Sequence, residues 1–328
     1  MNYLLNTKIG QMIFAVILLA LVVLVLLFLA SLADRIKGRG RTVASVAVFL
    51  GPGLLLLGLG LVYPALRTIM MSFMDRRSET WVGFSNYSWM FTATDSKQAF
   101  INTFIWVLFV PTVSTIVGLL YAILIDGKRF EKVAKSLLFM PMAISFVGAG
   151  IIWKFVYDYR GAAQKQSGLL NAIIVGLGGE PVRFLQDSPL NTFFLLIVMI
   201  WIQAGFAMVL LSAAIKAIPH DIVEAAQLDG VNNWQMFRNI TVPSIRPTLV
   251  VVLTTITIAT LKIFDITQTM TGAKFGTQVL ANMMYDQSFT YGNNGYGSAM
   301  AVAIFVLVIP IVIYNVRQML INKEVRGA

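Results

Sequence analysis

Between Gln11 and Ala33 the chain runs for 23 residues without one charged side chain. As a helix rising 1.5 Å per residue, such a run is ~35 Å long, enough to cross roughly 30 Å of bilayer hydrocarbon. Comparable runs lie near 43–66, 100–125, 137–157, 190–215, 247–270 and 297–316. Lipid offers no partner to an unpaired amide, so these seven segments are expected to be helices. The expected class is an all-α polytopic membrane protein. Charge agrees: Asp, Glu, Lys and Arg make up 12% of the chain, about half of what a soluble surface carries. Pro52, Pro64, Pro111, Pro141 and Pro310 fall inside or at the ends of the runs. Membrane helices tolerate such breakers where neighbours satisfy the freed carbonyls.

The first run is too long for a secretory core of about 7–15 residues. Ser31-Leu32-Ala33 has the look of a cleavage site, but the basic segment from Asp34 to Arg41 reads as a cytoplasmic anchor, so a retained helix is expected. The chain lacks Cys and has one His, His220, which excludes disulfides, thiolate sites and a histidine metal centre. The net charge of +10 belongs to loop ends rather than to a nucleic-acid surface.

Orientation follows from Lys and Arg between spans. Segments 34–42, 126–136, 216–246 and 317–328 hold 14 in 63 residues, against 9 in 101 for 1–10, 67–99, 158–189 and 271–296. The denser set faces the cytoplasm, which puts the N-terminus outside and the C-terminus inside.

The inner loop 216–246 is written differently from the others. Pro219 followed by Asp221 marks a helix start. Residues 220–229 make a short helix that Gly230 can end in a left-handed cap. Asn232 or Asn233 can cap a second short helix to about Asn239, and Pro243 is expected to stop it. Ala225 and Ala226 keep the first helix slim enough for a foreign backbone to approach, while Glu224 and Asp229 offer carboxylates. Charge spacing alone describes an amphipathic helix–turn–helix on the membrane surface.

The residue pattern says more. Glu224-Ala225-Ala226, Asp229-Gly230, Phe237 and Ile240-x-x-Pro243 resemble the ATPase-coupling loop of binding-protein-dependent ABC importers. Val82-Gly83-Phe84-Ser85-Asn86-Tyr87, Gly168-Leu-Leu-Asn171, Phe264-Asp265 and Gly295-Tyr296-Gly297 resemble further signatures of that family, in order, from about 44 to 320. The likeness is to the larger-type permease of the maltose and alpha-glucoside importers. Two features depart from it. The helix at 11–33 is extra to the usual six spans, and Ala273-Lys274-Phe275 stands where the family often has Gly-Gly-Pro.

The resemblance implies residues 1–42 as an extra helix and basic loop, 43–320 as a type I permease core, and 321–328 as a tail. It implies a second permease, two ATPase subunits, an external solute-binding protein and a sugar or short oligosaccharide as cargo, in a bacterial cytoplasmic membrane. No Gly-x-x-x-x-Gly-Lys-Ser/Thr is present, so ATP and Mg are expected on the partner ATPases, with no cofactor on this chain. Candidate pathway groups are polar residues stranded in apolar runs: Asn102, Gln203 beside Trp201, Asp265 and Gln268. Gln203 with Trp201 could bond and stack on a pyranose, or simply glue helices. Lys262 and Asp265, three apart, could neutralise each other on one helical face, and Thr254, Thr255 and Thr257 could bond their own backbone. The competing classes are permeases for polyols or glycerol phosphate, an ion-coupled secondary transporter and a membrane enzyme. No internal repeat and no cluster of ionisable groups in the spans favours the last two.

Overall fold

The computed structural model describes residues 7–33, 39–161 and 164–327. The segment 34–38 of the expected basic anchor lies outside the described residues. The chain divides into two compact units, Met1–Thr68 and Ile69–Ala328.

The first unit holds α1 (Lys8–Ala33) and α2 (Arg39–Leu57), followed by a π turn Gly58–Val62 and the start of α3 (Tyr63–Met71). The expected helix at 11–33 thus forms without a break. The π turn ends two residues before Pro64. A widened turn moves aside the carbonyl that a proline ring would strike four residues back, so the helix continues through the breaker.

In the second unit α4 (Ser85–Thr92) precedes α5 (Thr94–Ile125). Next come α6 (Glu131–Phe139), a 3₁₀ turn Met140–Ala143 and α7 (Phe146–Val156). The expected single span at 137–157 is in fact this pair, bent by 103°. Pro141 starts the bend, and Ser145 then caps α7 by accepting the Gly148 N–H. After α8 (Leu169–Gly176) comes α9 (Leu190–Lys216), then the loop helix α10 (His220–Leu228). α11 (Asn233–Gln235), a π turn Met236–Thr241 and α12 (Val242–Leu261) follow as one continuous helical run. The last elements are α13 (Asp265–Thr271), α14 (Leu280–Tyr285), a π turn Asp286–Thr290 and α15 (Asn294–Gly327). Among the described residues five helical runs are long and apolar enough to cross a membrane, or six with the bent pair.

α5 and α9 form the centre. Trp106 and Val110 of α5 are buried with Leu195, Met199, Met208 and Leu211 of α9. In lipid, small residues let helices approach closely. Gly118 does this here: a Cβ on it would lie 2.5 Å from the Ala207 Cβ and 2.7 Å from the Met208 amide nitrogen. Gly205 seats the Leu138 carbonyl of α6 in the same way.

At the end of the bundle opposite α10, asparagines hold the loops. Asn86 donates to the carbonyls of Ser72 (2.8 Å) and Met74 (2.7 Å), and Gly295 lies against the same Met74 carbonyl. Tyr87 bonds Ser72 at 2.6 Å, and Tyr296 stacks on Trp89 with centroids 3.8 Å apart. Asn171 bonds the carbonyls of Asp158 and Val182 and accepts the Val182 N–H. The Gly83…Asn86-Tyr87, Gly168…Asn171 and Gly295-Tyr296 signatures are therefore loop clamps. In the exposed turn after α3, Asp75 accepts the Glu79 amide (2.8 Å), which holds its carboxyl below the usual range. Where the chain reads Ala273-Lys274-Phe275, Ala273 and Phe275 take positive φ (54° and 58°), left-handed backbone that side chains disfavour.

Candidate functional site

Between α9 and α12 the loop is built from local signals. α10 begins after Pro219, with Asp221 in its first turn. It ends at Gly230, whose φ is +76°. The Gly230 N–H donates to Gln227 (3.1 Å) and the Val231 N–H to Ala226 (3.2 Å), the paired bonds of a Schellman cap. Two residues on, Asn232 and Gln235 exchange side-chain and backbone bonds at 2.9 Å, a capping box that opens α11. The turn between the helices is thus hydrogen-bonded from both sides.

Two expectations are corrected here. Pro243 does not stop a second short helix. The π turn Met236–Thr241 ends two residues before it, and the helix runs on as one 29-residue element to Leu261. Ala226 is turned inward, 7% exposed, so only Ala225 lies on the open side. Glu224 is exposed with its carboxylate 3.1 Å from His220 Nδ1, and Asp229, Gly230 and Pro243 are exposed as well. Phe237 and Ile240 are half-buried, and Phe237 packs on Trp234. Beside them Leu228 (88%) and Trp234 (64%) present large apolar surfaces. Together they leave an exposed apolar cluster beside the capped turn.

The stranded polar residues do not converge on one place. Lys262 and Asp265 do not share a helical face: α12 ends at Leu261, Lys262 is its cap, and Asp265 opens α13. The Phe264 carbonyl caps α13, accepting the Gln268 N–H and the Thr267 hydroxyl, both at 2.9 Å. Gln268 also accepts from Asn282 and lines a cavity of about 400 Å³ with Lys154, Asp158, Arg183 and Lys274. Trp201 lines a separate apolar cavity of about 210 Å³ and meets Trp153 edge-on at 5.6 Å. Gln203 is buried and, two positions away on the helix, points ~200° from Trp201. The two therefore do not form a joint stacking-and-bonding site. Asn102 is a clamp, donating to the carbonyls of Gly276 (2.6 Å) and Gln278 (2.8 Å). Thr254 and Thr257 bond carbonyls of their own helix.

Comparison with known proteins places this geometry. The family described as "binding-protein-dependent transport system inner membrane component" matches residues 114–327. The chain belongs to that family. The permease is 52% identical over 271 residues to the alpha-glucoside transport system permease protein AglF of Rhizobium meliloti, covering 82% of this chain and 81% of that one. It is 47% identical to the osmoprotective compounds uptake permease protein GgtC of Synechocystis, covering 85% of this chain and all of the other. A crystal structure of a bacterial ABC transporter for the acidic polysaccharide alginate shares its fold, with TM-score 0.70 over 81% of this chain and 91% of that one, at 23% identity.

Some residues that matter to this permease carry no signal of function in their own neighbourhood. Asn191 donates to the Phe275 carbonyl 84 residues on (2.8 Å), and Asn282 accepts from the buried Thr267 hydroxyl (2.6 Å). Only the four-residue spacing of Glu131 and Lys135 advertises the ion cluster at the start of α6. The Asn102 clamp gives a direct test. Asn102→Ala orphans two carbonyls and is expected to lower stability by about 2 kcal/mol, read as a lower thermal midpoint in detergent. A raised uptake KM with unchanged stability would instead make Asn102 a cargo contact.

Proposed function

We propose that this permease is the larger member of a pair in an ATP-driven importer for a sugar or short α-glucoside. The observation that carries the reading is the exposed helix α10, capped at Gly230 and followed at once by the capping box of α11, lying between two spans. It suits a cleft in a separate ATPase, with Glu224, Asp229 and the apolar Leu228 and Trp234 as contacts. The named substrates of AglF and similar relatives support the cargo class. ATP and Mg bind the two ATPases, and an external binding protein delivers cargo.

In this reading closure of the ATPase dimer moves α10 and α11 as one body, and the movement tilts α12. The passage forms against the second permease, with Asp265, Gln268 and the ring of Phe264 on this side. Alternating access follows because ATP binds one arrangement better than the other. The 216–246 loop faces the cytoplasm, the C-terminus is inside, and α1 is an extra span that leaves the N-terminus outside. GgtC favours a second cargo, an osmoprotective compound. Competition against labelled α-glucoside uptake separates the two.

Because the chain has no cysteine, Gln227→Cys on exposed α10 reports sidedness alone. An impermeant maleimide is expected to label it in inside-out vesicles and not in intact cells, and added ATPase subunits are expected to protect it. Labelling from the outside of intact cells would sink the reading.

A further inference from the structure

An ion cluster sits where α9 hands over to α10. Lys216, the last residue of α9, places its Nζ 2.5 Å from Glu131 Oε1 and 3.2 Å from Asp126 Oδ1. Glu131 opens α6 and also accepts from Lys135 (2.7 Å) and from the Gly127 amide (3.0 Å). Lys135 in turn bonds the Ser212 hydroxyl one turn back on α9. Three segments therefore meet in one network: the turn after α5, the start of α6 and the last turn of α9.

The cluster is not an ordinary surface pair. Glu131 and Lys135 are only 18% and 21% exposed. Lys216 and Asp126 are more open, at 51% and 35%. Asp126 Oδ1 is nevertheless itself inaccessible and has no hydrogen bond, and among the described residues the Lys216 ammonium is the cation that compensates it. Removing that ammonium would leave a shielded carboxylate oxygen uncompensated. Lys216 also stands three residues before Pro219, where α10 begins. Any displacement of α10 that travels back along the chain reaches this network first.

We propose that Lys216 and Glu131 are positioning residues that carry the movement of α10 into α5 and α6. The assignment rests on the reading of α10 as the ATPase-driven element. α12 leaves the loop from its other end, so the ion cluster gives the movement a second route into the bundle. The two routes would then shift together.

The test uses the assembled importer in proteoliposomes, with uptake and ATP hydrolysis measured on the same preparation. Lys216→Met and Glu131→Gln are expected to keep hydrolysis while cargo moved per ATP falls roughly tenfold, within the usual range of coupling between sites. Lys216→Arg, which keeps the charge, is expected to restore the ratio. An unchanged ratio in either neutral variant overturns the proposal. So does failure of both to assemble, which would make the cluster a folding element. Glu224→Lys serves as reference: if it uncouples and Lys216→Met does not, the joint alone is wrong. If neither does, the reading of α10 fails.

Discussion

Gly230→Pro is expected to abolish uptake while leaving the permease in the membrane. Gly230 holds φ at +76° and donates its N–H to Gln227. Proline fixes φ near −65° and has no N–H, so both the left-handed cap and its bond are lost. The backbone must then leave α10 along a different direction, and the contacts that α10 and α11 offer together cannot be presented at once. Uptake is expected to fall by roughly two orders of magnitude, the upper end of coupling between sites. Gly230→Ala costs only about 1–2 kcal/mol of left-handed strain and should fall between. Glu224→Lys changes no backbone but inverts an exposed charge beside His220, and it is expected to uncouple in the same way. Uptake at the unmodified rate in Gly230→Pro would show that the angle between the two helices does not matter.

The second large effect is on assembly of the bundle. Gly118→Leu puts a side chain where a Cβ alone would sit 2.5 Å from the Ala207 Cβ and 2.9 Å from the Ala204 carbonyl oxygen. Two of its three nearest neighbours are backbone, which cannot rotate away as a flexible side chain could. Overpacking typically costs about 1–3 kcal/mol, and here α5 and α9 must separate along their contact. The expected result is a thermal midpoint in detergent lower by roughly 2–4 °C, or no folded protein. Gly53→Leu is the control, since a Cβ there meets nothing within 4 Å among the described residues. Equal midpoints for the two variants would contradict close α5–α9 packing.

The spans were legible because their cause is written locally. A charge-free run such as 190–215 has one stable form in lipid, and α9 ends one residue from the expected place. The caps at Gly230 and Asn232 were legible for the same reason: their partners lie within five residues. The misreadings come from distant partners or from backbone adjustment. Asn102 looked stranded because its carbonyl partners are 174 and 176 residues away. Lys262 and Asp265 looked like one helical face because neither Gly nor Pro marks the break after Leu261. The Phe264 carbonyl at the break is satisfied by Gln268 and Thr267 of the helix that follows. Pro243 looked like a stop because a π turn leaves no mark in composition. The family signatures pointed to 216–246 as a candidate coupling loop, but they did not disclose that several other motifs tie loops at the opposite end.

The unbroken run from Asn233 to Leu261 has a geometric consequence. Its 29 residues span roughly 44 Å, with the capping box at one end and Asp265 just past the other. Swung by about 5° around the capped end, such a rod displaces its tip by nearly 4 Å, roughly one water diameter and more. If α12 is driven from its loop end as proposed, a small tilt there becomes, at the far tip, a gap wide enough to open or shut a door.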